Sequence, residues 1–371
     1  MRVCIRVFGI VQGVGFRPTV KRHADACDIA GSVSNKGPYV EIFAEGSEEC
    51  VHSFIKQIQE EPPKRAVILK LDVENVESGE DGIHKVESET DSKEKFQIIE
   101  SEKEEGEIFV SPDIAICPEC KKELYDKNDR RYLHPFINCT CCGPRLTILD
   151  SMPYDRVRTS MGEFPMCEKC EYEYTHAETR RFDAQPVCCN DCGPEVYLLG
   201  RKERGADAIR YTRKVISEGG IVAVKGIGGF HLCCDAKEET VARLRQRKKR
   251  PMKPFAVMMK DLDVVRRECE TEPHLEEILD GHQKPIILLP KKEGGTLCES
   301  VAPDNPKIGV MLPYAPVQLL LFDYQDETKV SDCLVMTSAN TSGAPICRDD
   351  EDALNELSGL CDVILSHDRK I

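Results

Sequence analysis

The first hundred residues change period several times. Residues 2–9, RVCIRVFG, alternate apolar and polar positions and predict a strand. GFRPTVKRHADACDIA (15–30) carries its apolar residues at helical spacing. GSVSNKG and GPYVEIFAEG predict a hairpin turning at Asn35-Lys36-Gly37-Pro38. SEECVHSFIKQIQE (47–60) predicts a second amphipathic helix, AVILKLDVENV (66–76) a long strand, and KFQIIES (95–101) a closing strand. The order β-α-β-β-α-β is the ferredoxin-like pattern. From residue 201 the periods alternate again. ADAIRYTRKVISEGG, KEETVARLRQRKKR and PVQLLLFDYQ are helical, while IVAVKG, FAVMMK, PIILLP and CLVMTSAN are short β-rich runs. That alternation predicts an α/β domain with a mixed or parallel sheet. The fold class expected is therefore α+β followed by α/β, with domains over 1–103, 110–199 and 200–371.

The middle stretch has neither pattern. It is an internal repeat with a constant offset of 50: CPECKKELYDKNDRRYLHPFINCTCCGPRLTIL above CEKCEYEYTHAETRRFDAQPVCCNDCGPEVYLL. Cys117 maps to Cys167, Cys120 to Cys170, Cys139 to Cys189 and Cys142 to Cys192. Each copy reads C-x2-C-x18-C-x2-C, the spacing of a four-thiolate zinc site. Four thiolates leave no open position, so each zinc is expected to be structural. A segment with few large apolar residues needs such staples. Sequential pairing is simplest, and an interleaved one uses the same residues. Cys141 and Cys188 break the repeat symmetry and read as spare thiols.

Composition sharpens this. The chain has 371 residues, enough for two or three domains. No apolar run is long enough for a bilayer and no secretory signal is visible, so no membrane partner is expected. With 20 cysteines and no signal, metal binding and buried thiols in a reducing, cytoplasmic setting are expected over disulfides. The net charge of −14 is concentrated: residues 72–107 hold 14 acids and 4 bases. That stretch reads as a solvated loop. So acidic a chain is a poor general nucleic-acid binder.

One loop carries candidate chemistry. Gln12-Gly13-Val14-Gly15-Phe16-Arg17 joins the first strand to the first helix. It lacks the G-K-[ST] ending of a nucleotide P-loop and the third glycine of a dinucleotide loop. Glycines there let backbone N–H groups converge on an anion, and the helix N-terminus adds partial positive charge. Arg17 adds a fork that matches a phosphate edge. Asn35, in the hairpin, offers an amide able to hold an attacking water. An ordinary tight turn explains the same residues equally well.

FGIVQGVGFRP followed by GSVSNKG resembles the acylphosphatase motif, with Arg17 and Asn35 at the phosphate-binding and water-orienting positions. With CPECKKEL, DRRYLHPFINCTCCGPRLTIL, PYDR, KGIGGFHLCCDA and RPMKPFAVM in order, the whole chain is similar to the HypF family of [NiFe]-hydrogenase carbamoyltransferases. The resemblance implies a YrdC-like third domain that adenylates carbamate with ATP. Lys248, Arg250 and Lys253 would then meet the triphosphate, and Ser338, Asn340 and Ser342 match the nucleotide-contacting S-x-N-x-S. His231 is a weaker candidate. The implied cofactors are two structural Zn2+, ATP and Mg2+, with carbamoyl phosphate as substrate. The implied partner is HypE, whose C-terminal cysteine accepts the carbamoyl group through the full-length protein. Three positions depart from the family pattern: Ala315, Gln318 and Cys141. The family continues into a Kae1-like domain that this chain is expected to lack. Two other classes remain open at this point, a threonylcarbamoyl-adenylate synthase of tRNA modification and a non-catalytic zinc scaffold.

Overall fold

A computed structural model describes residues 1–76, 95–102, 104, 106, 109–340 and 344–371. The acidic stretch read as a solvated loop lies partly outside the described residues, as does Ser342. The chain divides into two compact units. The first comprises Met1–Pro112, Cys139–Cys141 and Ile148–Val187, and the second Asp113–Asn138, Cys142–Thr147 and Cys188–Ile371.

The first unit opens with β1 (Arg2–Ile10), α1 (Phe16–Ala26), β2 (Ala30–Asn35), β3 (Tyr39–Glu45), α2 (Glu48–Glu60), β4 (Val67–Asn75) and β5 (Phe96–Ile98). The sheet order is β4-β1-β3-β2-β5. All pairs are antiparallel except β2 with β5. Period-two alternation puts Val3, Ile5 and Val7 of β1 on one face with Val40 and Ile42 of β3. The helices cover that face with Val20, Ala24, Val51, Phe54 and Ile58. Ser47 caps α2 by accepting from the Cys50 amide at 3.2 Å. A fully buried Phe54 is worth about 3–5 kcal/mol against alanine.

The repeat is visible as structure. The helices α3 (Pro118–Tyr125) and α4 (Glu168–Thr175) begin directly after Cys117 and Cys167 and keep the 50-residue offset.

The second unit adds β6 (Val196–Leu198), α5 (Gly205–Ser217), β7 (Val222–Lys225), β8 (Phe230–Asp235), α6 (Glu238–Lys248), β9 (Ala256–Met259), α7 (Leu262–Glu268), α8 (Pro273–Leu279), β10 (Ile287–Pro290), β11 (Lys307–Met311), α9 (Pro316–Phe322), β12 (Cys333–Ser338), α10 (Asp350–Leu357) and β13 (Val363–His367). Its eight strands run β10-β11-β9-β12-β8-β7-β13-β6. The sheet is mixed, parallel only at β9–β11 and β7–β13. Sequence patterning finds β7, β9, β10 and β12 but not β6, β8, β11 and β13. The KGIGGFHL stretch that carries His231 is half turn and half strand: the turn ends at Gly229 and β8 begins at Phe230. Strand β8 is buried along most of its length, so it lacks the alternation that marks a one-sided strand.

Candidate functional site

The first site is the loop between β1 and α1. Gly13 and Gly15 both take left-handed angles, φ 71° and 79°, which glycine alone adopts without strain. Gly15 is the residue that opens α1. A Cβ there would come within 2.9 Å of the Thr140 side chain. Val14 and Phe16 bury their side chains in the core, so they serve the loop through backbone alone. As in any helix, the first amides of α1 have no intrahelical acceptor. Gln12 ties the loop down twice: its Nε2 donates to the Gly37 carbonyl at 2.8 Å, and its Oε1 accepts from the Tyr154 amide at 3.2 Å. Asn35, at the end of β2, is 1% exposed. Its Nδ2 makes a long 3.5 Å bond to the Tyr154 carbonyl, and its Oδ1 has no partner. A buried acceptor left open is costly and marks a place for a ligand or water.

Arg17 is buried but not alone. Its Nη1 donates to Asp155 Oδ1 at 2.9 Å and to Ser101 Oγ at 3.2 Å. Its Nε and Nη2 meet the two oxygens of Asp183 at 3.0 and 3.1 Å, a two-point fork. Burial works against the arginine charge, and Asp183 and Asp155 more than offset it, so its hold on the proton is raised. A cavity of about 700 Å³ adjoins it, lined among others by Lys21, Ser101, Asp155, Arg158 and Asp183. Sequence reasoning missed both aspartates. For Asp183 the signal was in the repeat, where it stands opposite Leu133 of the first copy.

The eight predicted metal cysteines form two clusters, Cys117, Cys120, Cys139 and Cys142, and Cys167, Cys170, Cys189 and Cys192. In each, the ligand atoms lie within 4.8 Å of one another. Pairing is therefore sequential, not interleaved. Four thiolates at this spacing fit tetrahedral zinc and leave no position for chemistry. Cys117 Sγ also accepts from the Cys120 amide at 3.5 Å, which orients the knuckle. Cys141 and Cys188 belong to neither cluster.

The second unit gathers the other predicted residues. Lys248, the last residue of α6, donates to the Ser338 carbonyl, the Asn340 carbonyl and Asn340 Oδ1 at 2.8, 2.9 and 3.0 Å. Ser338 Oγ donates to the same Asn340 Oδ1 at 2.9 Å. Burial, aided by Arg250, lowers the Lys248 ammonium to about 8. Arg250 donates to Thr337 Oγ1 at 3.2 Å and to the Lys253 carbonyl at 3.1 Å. Both cations thus hold the loops that carry the motif, while Lys253 is exposed. His231 lies opposite Ser338 in the β8–β12 ladder, and burial lowers it to about 4. Arg245 was not anticipated. It donates to the carbonyls of Ser300, Val301, Arg250, Pro251 and Lys253, so one guanidinium shapes the RPMKP loop. Of the departing positions, Gln318 has a local job: its Oε1 accepts from the Tyr314 and Ala315 amides at the start of α9.

The chain matches the acylphosphatase family over residues 3–87. It matches the HypF finger over 116–149 and 166–199. It matches the Sua5/YciO/YrdC family, described as telomere recombination, over 214–371. It is 46% identical over 378 aligned residues to a probable carbamoyltransferase HypF of Methanocaldococcus jannaschii, covering 100% of this chain and 47% of that protein. An acylphosphatase of Caldivirga maquilingensis is 45% identical over 83 residues, 22% of this chain and 86% of its own. Among solved structures, a full-length HypF in the phosphate- and nucleotide-bound form superposes with a TM-score of 0.91 at 45% identity, covering 100% of this chain and 47% of that one. The chain spans about half the length of these HypF relatives. With all three domain types in order and the likeness unbroken from end to end, the chain belongs to the HypF family, over the portion that carries its acylphosphatase, zinc-finger and YrdC-like domains.

Proposed function

We propose that this chain performs two linked steps of HypF chemistry, hydrolysis of carbamoyl phosphate and adenylation of the carbamate released. The observation that carries the reading is the open, buried Oδ1 of Asn35 in the unit that holds the double-glycine loop and Arg17. Phosphate seats on the loop amides at the start of α1 and shares the Arg17 charge with Asp183. Asn35 Oδ1 accepts a proton of the attacking water and so orients it. Water and carbamoyl phosphate give carbamate and inorganic phosphate.

In the second unit, the carbamate oxygen attacks the α-phosphate of ATP and pyrophosphate leaves. Lys253, exposed in the loop that Arg245 shapes, is available to the departing charge. Ser338, Asn340 and Ser342 would contact the nucleotide, and His231 lies at the same end of the sheet. Mg2+, if bound, would neutralise phosphate charge. The zinc ions would act as staples only. Transfer to the HypE cysteine belongs to the full-length protein. The test is pyrophosphate release from ATP by the purified chain. Release that requires carbamoyl phosphate and vanishes in Arg17→Ala supports the reading. Release driven instead by threonine and bicarbonate overturns it in favour of the tRNA-type synthase.

A further inference from the structure

Arg17 meets more carboxylate than one guanidinium can neutralise. Its Nη1 donates to Asp155 and Ser101, and its Nε–Nη2 edge faces both oxygens of Asp183. That edge is where an arginine takes an oxyanion at two points. A phosphate drawn to Arg17 therefore finds its seat filled. The cavity of about 700 Å³ reaches the same group, since Arg17, Ser101, Asp155 and Asp183 all line it. A space of that size admits an acyl phosphate and a small carboxylate alike. Size does not select between them, so the selection falls to charge.

The two aspartates hold Arg17 on different terms. Asp155 also has Arg158, at 3.0 Å. Among the described residues the Asp183 carboxylate has, besides Arg17, only the Gln185 amide, at 2.8 Å. That amide is fixed in its orientation. Its Oε1 accepts from the Tyr174 hydroxyl at 2.8 Å and from the Arg156 amide at 2.7 Å, which leaves Nε2 as the donor to Asp183. Gln185 carries no charge, so the Asp183 charge rests on Arg17. Burial pushes the Asp183 carboxyl above its ordinary value even so. Asp183 is thus the carboxylate that yields. Its backbone stays in place, because its amide donates to the Tyr174 carbonyl at 2.9 Å, so the side chain remains within reach of the seat.

We propose that Asp183 decides which anions Arg17 accepts: it is a tethered carboxylate on the Nε–Nη2 edge, displaced by phosphate and not by a free carboxylate. Asp183 has this role only if Arg17 receives phosphate, as in the function proposed above. A free carboxylate offers the same two oxygens and the same charge, but it must give up its freedom to bind, a cost that Asp183 does not bear. Phosphate brings more charge, and the amides at the start of α1 add to its hold. The two products of carbamoyl phosphate hydrolysis are of these two kinds. Carbamate, a carboxylate, is not retained at Arg17, and phosphate is released as Asp183 returns.

The experiment uses the zinc-loaded chain with inorganic phosphate and 13C-formate as probes, read by NMR titration, and counts only the binding that Arg17→Ala abolishes. The wild type is expected to bind phosphate and not formate. Asp183→Asn keeps the shape and removes the charge. It is expected to bind phosphate at least about tenfold more tightly and to gain formate binding. In acyl phosphate hydrolysis by the same variant, KM and the inhibition constant of phosphate should fall together, which loss of a purely structural contact would not produce. Phosphate bound equally or more weakly by Asp183→Asn overturns the proposal. Should that variant fail to fold, the wild type still decides: formate bound at Arg17 as tightly as phosphate overturns the proposal, and phosphate bound alone supports it. If the binding pattern holds but no acyl phosphate is hydrolysed, the hydrolysis reading falls and the role of Asp183 stands. If hydrolysis depends on Arg17 while Asp183→Asn leaves KM and phosphate inhibition unchanged, the proposal falls alone.

Discussion

The proposed function asks two things of Arg17, to hold a phosphate and to hold two aspartates, and the two can be separated. Removing its side chain leaves Asp155 and Asp183 largely buried, with side chains 17 and 12% exposed. Asp155 retains Arg158 at 3.0 Å, and among the described residues the Asp183 carboxylate retains only the Gln185 amide at 2.8 Å. The loss therefore falls mainly on Asp183. Breaking a buried pair by deleting one partner costs about 3–5 kcal/mol. The Arg158 contact argues for the lower end, so Arg17→Ala is expected to lose about 3 kcal/mol. Asp183→Asn keeps the shape and removes the orphaned charge. In Arg17→Ala/Asp183→Asn about 1–2 kcal/mol should return, because a neutral amide is cheaper to bury than a carboxylate. Urea unfolding of the four proteins of the cycle gives the coupling energy, and acyl phosphate hydrolysis is measured on the same samples. Stability should recover in the double variant while hydrolysis stays absent, since the phosphate fork is gone in both. A coupling energy near zero would refute the paired arrangement. Hydrolysis surviving in Arg17→Ala would refute the catalytic half.

Other expectations are more direct. Cys170→Ser should lower zinc from two ions per chain to one by a colorimetric chelator assay and unfold its knuckle locally, because such sites supply their own folding energy. His231 is held neutral by burial, with its value lowered from 6.5 to about 4. Its contribution is thus intact above pH 6.5 and is lost as the pH falls toward 4, a span worth roughly 3 kcal/mol that His231→Gln should remove from the acid limb of a stability–pH curve. Lys248 is charged below about 8, so ATP affinity by calorimetry should weaken as the pH rises through that value, by up to about tenfold, and Lys248→Met should show no such limb.

Much of this was legible in the chain itself. The first unit's strands and helices follow from clean period switches, and the metal pairs from spacing repeated at a fixed offset. The short strands of the second unit were not legible where both faces are covered, as in β8. The site was legible in its backbone and in Asn35, because glycine pairs and a hairpin amide have local signatures. Asp155 and Arg245 had none, and Asp183 showed only as a departure from the other copy of the repeat. Their partners lie 138, 55 and 166 residues away, and no local pattern encodes that.

The two finger copies hold one backbone to two uses. Leu133 and Asp183 share a left-handed conformation, φ 54° and 56°. Each donates its amide to the equivalent carbonyl, Leu124 and Tyr174, at 2.8 and 2.9 Å. Only the side chain differs. Because thiolates clustered nearby in sequence fix the chain path, such a position behaves as an interchangeable socket: an apolar group in one copy, a carboxylate that grips Arg17 in the other. Each finger can therefore be re-equipped at this point without being redesigned, which makes the duplicated staple a natural place to alter the charge that faces Arg17.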